Sequence, residues 1–316
     1  MDNSAQTLLF TLQKSHNLIL SHIHKKPSEI KNKAIVISWL LVLIVSIAAC
    51  SINFFYLHYI GNNYFPTHAI LAAFILLVIL AGSYLQFNPG HTIVLIVREI
   101  FFFYLVISSI AFITNAVQYT PFKRVDELII YFESTYTLDM TQIVAWTAQH
   151  PFFKKILLFA YASLAYQLGL LPLFMILTLN IKKIRTFYFF LLTSALIGFS
   201  IYYFFPTTAP ASNLYSPFFF EEQRATGIKF HEIHNHLAPT TLAGGLVAFP
   251  SFHVIWAWFC LYLTYGYRML FFLLLPLNCL LIVSCVLLGW HYPLDLLGAL
   301  LVILASHWLH HQFKNY

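Results

Sequence analysis

The segment FPSFHVIWAWFCLYLTYGYRMLFFLLLPLNCLLIVSCVLLGWHYPLD, residues 249–295, decides the fold. It contains two apolar runs, Val254–Tyr265 and Met269–Leu288, and the residues Gly266–Arg268 separate them. A run of about twenty apolar residues is long enough to cross the hydrocarbon core of a membrane as a helix. The segment therefore predicts two membrane helices joined by a tight turn, of which the first is short.

Three polar side chains lie at the outer ends of these two runs. His253 comes just before the first run, His291 follows the second, and Asp295 begins the next apolar stretch. A chain that crosses a membrane and returns brings both ends of the hairpin to the same side. We therefore expect the two histidines and the aspartate to meet at one end of a helical bundle.

The composition of the whole chain is that of an integral membrane protein. Hydrophobic residues make up 60% of the sequence and charged residues 9%, and the mean hydropathy is +0.76. A soluble domain has about 45–50% apolar and about 25% charged residues. The four cysteines all lie within apolar runs, which argues against a disulfide framework. We expect the membrane and its lipids as partners, with no nucleic acid and no cofactor.

The apolar segments predict an all-α polytopic bundle of about eight transmembrane helices. The predicted spans are about Ala34–Tyr59, Thr67–Phe87, Thr92–Val117, Phe152–Asn180, Thr186–Phe205, Ser251–Tyr265, Met269–Leu288 and Pro293–His310. Residues 1–91 would contribute two extra spans and an amphipathic surface helix over Ser4–His24, for which a partly disordered tail is the alternative. Residues 92–316 would form a six-helix core. Two interfacial helices are expected in the loop before the fourth span, around Phe122–Phe132 and Met140–Gln149.

Lysine and arginine in the short loops predict the orientation of the chain. Basic residues cluster before the first span and between the fourth and fifth spans, where Lys182, Lys183 and Arg185 lie. The positive-inside rule then places the N-terminus in the cytoplasm and the ends of residues 249–295 outside it. Arg98 and Glu99 fall within the third span, so we expect them to pair with neighbours or face the bundle interior in a structural role.

The residues around His253 and His291 have the chemistry of phosphoryl transfer. Pro250 fits the first turn of a helix, so the backbone N–H groups of Ser251, Phe252 and His253 would lack intrahelical partners and could bind a phosphate. Asp295, four residues after His291, can accept a hydrogen bond from one ring nitrogen and leave the other free to attack. The second histidine can protonate the leaving oxygen. Asp295 could instead only complement the dipole of its helix.

These motifs resemble those of the type 2 phosphatidic acid phosphatase superfamily, whose second motif is P-S-G-H and whose third is S-R-x5-H-x3-D. The second motif here reads PSFH at residues 250–253, and the third has Ser284 and Cys285, then five residues, His291, three residues and Asp295. The resemblance covers about Thr92–His310. It implies that the third-motif histidine is a nucleophile forming a phosphohistidine, with the aspartate as its partner and His253 as the acid.

Within the superfamily, the chain is most similar to the inositol phosphorylceramide synthases. That branch accepts a bulky residue inside P-S-x-H and has a P-x-x-A-P segment upstream, which residues 206–210 match. The resemblance implies substrate-binding roles for Ser251, Phe252, Pro206, Ala209 and Pro210.

Two cationic elements of the phosphatases are missing from this chain. Cys285 replaces the arginine of the third motif, and the first motif, K-x6-R-P, is absent. A phosphodiester carries one negative charge less than a phosphomonoester dianion and needs less neutralisation. The departures therefore favour headgroup transfer between lipids over simple hydrolysis. Lys229 and Arg224, in the loop before the second motif, are candidate replacement cations, although either could be a solvated loop charge.

The predicted function is an integral membrane lipid phosphotransferase that moves a phospho-headgroup from a phospholipid donor to a lipid alcohol through a phosphohistidine. A lipid phosphate phosphatase of the same superfamily is the first alternative, and a non-catalytic transporter with this fold is the second. The protein would be a multi-pass protein of a bacterial inner membrane or an endomembrane, with its active site on the extracytoplasmic side. The motifs do not specify the oligomeric state.

A second group of titratable side chains lies in the loop over residues 212–245. His231, His234 and His236 accompany Glu232 there, and these residue types can bind zinc. Their spacing fits no compact zinc motif, so we expect no metal and interpret the histidines as structural or substrate-contacting residues of a polar lid. Gly244 and Gly245 would be its hinge or a place of close backbone approach.

Overall fold

A computed structural model describes residues 32–59, 61, 67–241, 243–245 and 247–315. The expected surface helix over Ser4–His24 lies outside these residues. The described residues contain eleven α-helices and no strands. The helices are α1 Asn32–Phe55, α2 Thr67–Gln86, α3 Thr92–Ala116, α4 Asp126–Thr135, α5 Met140–Gln149, α6 Pro151–Leu177, α7 Ile181–Phe204, α8 Glu221–His234, α9 Phe252–Thr264, α10 Arg268–Leu287 and α11 Pro293–Asn315.

The prediction of a polytopic helical bundle is confirmed. Among the described residues, seven helices are long and apolar enough to cross a membrane, namely α1, α2, α3, α6, α7, α10 and α11. The expected short span is α9, a helix of 13 residues. At 1.5 Å per residue it is roughly 20 Å long, which is less than the ~30 Å thickness of the hydrocarbon core. Most of its side chains are buried among other helices.

Helix α7 lies at the centre of the bundle and packs against α1, α3, α9 and α11. Its middle section is almost continuously buried, from Phe187 to Ala195. Helix α2, by contrast, packs mainly on α3 and leaves most of its apolar side chains outside the bundle, as a lipid-facing helix does. The core that positions the motifs is therefore built around α7.

Short helices cover the end of the bundle at which α3, α7 and α10 finish. Helix α5 has the predicted bounds, and α4 begins four residues later than the predicted Phe122. Helix α8 was not predicted, because its sequence EEQRATGIKFHEIH is polar and has a glycine at its centre. It packs on the 3₁₀ turn Pro210–Ser212, so the expected polar lid is an ordered helix over this end.

At the opposite end of the bundle, Glu99 is completely buried and forms an ion pair with Arg185 of α7, with 2.8 Å between Oε1 and Nη2. The neighbouring Arg98 lies 3.5 Å from the same oxygen. The prediction that these charges pair within the bundle is confirmed. The basic residues at the start of α7 are thus at the other face from the motifs, as expected.

Phe252, the bulky residue inside P-S-x-H, is accommodated by a glycine on the neighbouring helix. A Cβ added to Gly198 would come within 2.6 Å of the Phe252 ring, which stacks on Phe199 with ring centroids 4.3 Å apart. Because the ring is enclosed, we expect Gly198→Ala to lower the free energy of unfolding by about 1–3 kcal/mol through overpacking. Thermal unfolding in detergent measures the change. Gly169→Ala is the matched control, since no atom lies within 4 Å of that position; equal melting temperatures for the two variants would contradict the prediction.

Candidate active site

His291 and Asp295 meet at the junction between α10 and α11. The Nδ1 atom of His291 lies 3.2 Å from Oδ2 of Asp295, and both side chains are buried. The same carboxylate oxygen accepts the Tyr292 backbone N–H at 2.9 Å. A carboxylate at Nδ1 favours the tautomer with the proton on that nitrogen, which leaves Nε2 with its lone pair. The expected pairing of these two residues is confirmed.

The start of α9 packs directly on the start of α11. The Ser251 N–H donates to the Asp295 backbone carbonyl at 3.2 Å. The helix itself begins at Phe252 with Ser251 as its N-cap, so Pro250 lies before the first turn. Two expectations were therefore wrong: Pro250 is not in the first turn, and the Ser251 N–H is not available to a phosphate. The bond instead fixes the position of α9 relative to His291.

His253 lies across from His291, with 5.9 Å between the two ring centroids. The His253 ring stacks on Tyr161 of α6 at 4.2 Å, and Tyr161 stacks in turn on Trp290 at 5.3 Å. The rings of Tyr161, in α6, and Trp290, in the turn between α10 and α11, thus form a nearly parallel stack that holds His253 in place. Sequence reasoning missed Tyr161 and Trp290, since an aromatic residue in an apolar run has no pattern that distinguishes it from packing.

The two histidines line a cavity of about 340 Å³. Its other walls come from the lid helix α8, from the P-x-x-A-P segment and from the stretch that contains Gly244 and Gly245. The lining residues are Tyr161, Ala209, Glu222, Thr226, Gly244, Gly245, Val247, Ala248, His253, Trp290 and His291. We call this space the histidine cavity.

A second, larger cavity of about 640 Å³ meets the first at His253. It lies between α3, α6, α7 and α9 and has mostly apolar walls, among them Leu164, Phe199, Phe252 and Trp256. We call it the lateral cavity. Tyr161, Val247 and the two glycines line both cavities. A Cβ on Gly244 would come within 2.7 Å of the Glu222 carbonyl, so this glycine provides the close backbone approach to α8 that the sequence suggested.

The two candidate cations occupy different environments. Lys229 is buried, lines the lateral cavity and donates from Nζ to the Gly244 carbonyl at 3.0 Å. Burial lowers the pKa of its ammonium group. Arg224 is exposed, lines neither cavity and donates to the Ser216 carbonyl at 2.8 Å. The lid helix therefore places Lys229, and not Arg224, in a cavity that His253 also lines.

The P-x-x-A-P segment supports the second motif more than it lines the histidine cavity. Ala209 contacts the cavity, whereas Pro206 and Pro210 are buried and do not line it. The Thr207 hydroxyl accepts the Phe249 N–H at 2.7 Å. Ser251 is likewise fully buried, beside the Cys285 thiol, and does not line either cavity. Of the residues predicted to contact substrate in the P-x-x-A-P segment and the P-S-x-H motif, Ala209 lines the histidine cavity and Phe252 lines the lateral cavity.

Two buried carboxylates of α4 hold the loops around the site. Asp126 accepts hydrogen bonds from the Thr208 N–H at 3.0 Å and from the Asn213 amide at 2.9 Å. Glu133 accepts the Leu294 N–H at 3.0 Å, in the first turn of the helix that carries Asp295. Neither acid was predicted as a site residue, because nothing in a loop sequence shows that a carboxylate is buried.

Burial, with a smaller contribution from the nearby Asp295 charge, raises the pKa of Glu133 from 4.5 to about 7, against the lowering effect of the hydrogen bond from the Leu294 N–H. Because the folded protein holds this proton more tightly than the unfolded chain, the protonated carboxyl stabilises the fold at low pH. This stability is lost as the pH rises from about 4.5 through about 7. We therefore expect the melting temperature to fall by roughly 5 °C between pH 5 and pH 8, and Glu133→Gln to reduce this fall. Thermal unfolding across this range tests it. Glu127→Gln, an exposed acid on the same helix, is the control; identical pH profiles for all three proteins would refute the prediction.

The histidines of the lid do not form a cluster. His234 stacks on Phe230 and Tyr119, His231 lies beside Asn235, and Glu232 accepts hydrogen bonds from Thr240. Within the described part of the chain, no group of three or more His, Cys, Asp or Glu side chains could hold a metal ion.

Comparison with protein families supports the superfamily that the motifs suggested. The family model described as the PAP2 superfamily matches residues 127–309, which is more than half of the chain. The matched residues begin in α4 and include the candidate site. No curated protein and no solved structure matches the sequence. With the paired His291 and Asp295, the facing His253 and this match, the chain belongs to the PAP2 superfamily.

Proposed function

We propose that this protein is an integral membrane lipid phosphotransferase that moves a phospho-headgroup from a phospholipid to a lipid alcohol through a phosphohistidine. The observation that carries the proposal is the position of His253, 5.9 Å from His291 across the histidine cavity. Asp295 holds the Nδ1 side of the nucleophile at 3.2 Å. Membership of the superfamily supports lipid phosphoryl chemistry in general, and the transfer step is our more specific inference.

In the first step, Nε2 of His291 attacks the phosphorus of the donor lipid. A phosphorus–nitrogen bond forms, the bond from phosphorus to the lipid oxygen breaks, and protonated His253 gives its proton to that oxygen. The phosphate of the bound substrate is a negative charge that favours the protonated form of this buried histidine. Asp295 stabilises the positive charge that develops on the nucleophilic imidazole.

In the second step, the hydroxyl group of the acceptor lipid attacks the phosphohistidine. Its proton passes to His253, a new phosphorus–oxygen bond forms, and the bond to His291 breaks. Both histidines then have the protonation states in which they began. The reaction exchanges one phosphoester for another, so it needs no oxidant and no nucleoside triphosphate.

The two adjoining cavities favour a lipid acceptor over water. The lateral cavity has mostly apolar walls and is large enough to hold a hydrocarbon chain, and it meets the histidine cavity at His253. A lipid held there would present its hydroxyl group to the base. The similarity to inositol phosphorylceramide synthases suggests the same class of acceptor, a lipid with a free hydroxyl, at the extracytoplasmic surface of the membrane.

Lys229 is the cation that we assign to the transferred phosphate. Its side chain lines the lateral cavity, which His253 also lines. We infer that its ammonium group takes the role of the third-motif arginine, which is Cys285 in this chain. We expect Lys229→Met to lower kcat/KM for the phospholipid donor about 10²-fold, since a charge-assisted hydrogen bond to the transition state is lost. Steady-state kinetics measure it, with Arg224→Met as the control on the same helix; equal losses in both variants would contradict the assignment.

Purified protein in lipid vesicles with a panel of phospholipids and an added lipid alcohol tests the proposal. Mass spectrometry should detect a new lipid that carries the donor headgroup on the acceptor, and the product should require both lipids. Release of inorganic phosphate and dephosphorylated lipid without that product would show that the protein is a lipid phosphate phosphatase, the alternative function within the superfamily. No conversion of any lipid would reject both and leave the transporter alternative.

A further inference from the structure

A third cavity lies at the opposite end of the bundle from the two histidines. It has a volume of about 270 Å³ and lies between α1, α3 and α7. Most of its walls are apolar, among them Trp39, Leu105, Val106 and Leu192. Its lining residues with polar groups include Glu99, Arg185, Asn32 and Tyr188, whose hydroxyl donates to the Glu99 backbone carbonyl. It shares no lining residue with the histidine or lateral cavity, so its role is separate from the proposed reaction.

The polar end of this cavity contains a carboxylate that is not fully paired. Glu99 is completely buried, and its Oε1 atom accepts from Arg185 at 2.8 Å. Among the described residues, no group donates a hydrogen bond to the buried Oε2 atom. A buried carboxylate oxygen that accepts no hydrogen bond is unfavourable, so a ligand hydroxyl that donates a hydrogen bond to it would remove this cost.

The described residues around Glu99 are positively charged. Arg98 and Arg185 both lie beside Glu99, with side chains 27% and 23% exposed, and Arg185 lines the cavity. Arginine binds phosphate well because its planar donors match phosphate oxygens. The Asn32 side chain, 2.6 Å from Nη1 of Arg185, adds a polar group at the first residue of α1.

The shape of the cavity suits a hydrocarbon chain below this polar end. Asn32 and Arg185 lie near the beginnings of α1 and α7, where these helices enter the membrane. From Glu99 to Val106, the cavity follows α3 for seven residues, which is roughly 10 Å into the bundle. A phosphate at the membrane surface and an acyl chain along the helices would have this arrangement.

We propose that this cavity binds an anionic phospholipid whose headgroup carries hydroxyl groups, in the leaflet on the side of Asn32. The phosphate lies at Arg185 and Asn32, a headgroup hydroxyl donates to Oε2 of Glu99, and one acyl chain fills the space beside Leu105 and Leu192. The lipid stabilises the contact between α1, α3 and the central helix α7, and it is not a substrate of the histidine site.

The test uses the purified, delipidated full-length protein in detergent, with phosphatidylglycerol or phosphatidylcholine of the same acyl chains added. Phosphatidylglycerol should raise the melting temperature by roughly 5 °C at a hundredfold excess over its Kd, and native mass spectrometry should show one retained molecule. Phosphatidylcholine should have little effect. Equal shifts with both lipids would overturn the proposal, because the headgroup would then not be recognised.

A cavity-filling variant locates the effect. Leu105→Trp should abolish the phosphatidylglycerol shift, whereas Ile107→Trp, on the same helix but outside the cavity lining, should retain it. If Leu105→Trp does not fold, Val36→Trp replaces it, since Val36 lines the cavity and is half-exposed. A shift that persists in the filled variant would overturn the site. So would a shift that appears only after residues 1–31 are removed, because the protein's own N-terminal segment would then be the occupant.

Discussion

Replacement of His291 with alanine is expected to abolish headgroup transfer, with a loss of at least about 10⁴-fold in kcat. Its imidazole is the one whose Nδ1 is held by Asp295, so its Nε2 is the group that can attack phosphorus. Without the nucleophile, both lipids can still bind, but the phosphohistidine that carries the headgroup between them cannot form. The product lipid is measured by mass spectrometry at saturating donor and acceptor.

The control for this variant is His311→Ala, an exposed histidine on the same helix as Asp295. It should transfer the headgroup at the wild-type rate. Thermal unfolding of both variants separates a lost nucleophile from a lost fold. A His291→Ala protein that folds and still transfers more than a few per cent of wild-type headgroup would rule out the phosphohistidine, and with it the role assigned to this residue.

Replacement of His253 with alanine is expected to cost about 10²–10⁴-fold with a natural phospholipid donor, since a general acid and base is lost. The loss should depend on the leaving group. A donor with a nitrophenol leaving group needs no proton for the first step, so that step should remain fast. The second step still needs a base for the acceptor hydroxyl and should remain slow.

When the His253→Ala protein is rapidly mixed with the nitrophenyl donor, we therefore expect a burst of nitrophenolate, about one equivalent per active site, followed by slow turnover. The wild-type protein should show continuous turnover with the same donor. If the variant is equally slow with both donors and shows no burst, His253 does not act as the acid. Its effect would then be structural, through the stack with Tyr161 and Trp290.

The sequence was most informative about elements whose physics is local. Apolar length located the spans, and motif spacing identified His253, His291 and Asp295 as one group. Helix α5 was predicted around Met140–Gln149, which are its bounds in the structure; Asp139 is its N-cap, and the Asp139 side chain accepts the Thr141 N–H. These features depend on neighbouring residues, so a single sequence contains them.

The features that were missed depend on contacts between distant segments. Tyr161 stacks on His253 from 92 positions away, and Glu133 bonds Leu294 across 161 positions. The wrong expectation for Ser251 has the same origin: an isolated helix start has free N–H groups, but here the Asp295 carbonyl of another helix takes one. Helix α8 was missed because it is stabilised by packing on the 3₁₀ turn and not by an apolar pattern.

The most direct test of the central claim is the position of the covalent phosphoryl adduct. The His253→Ala protein is mixed with the nitrophenyl donor, quenched within the burst and digested, and the peptides are sequenced by mass spectrometry. The account predicts the mass of the phospho-headgroup on His291, close to one per chain, and its absence in a His253→Ala, His291→Ala double variant. An adduct on another residue, or no adduct at all, would contradict it.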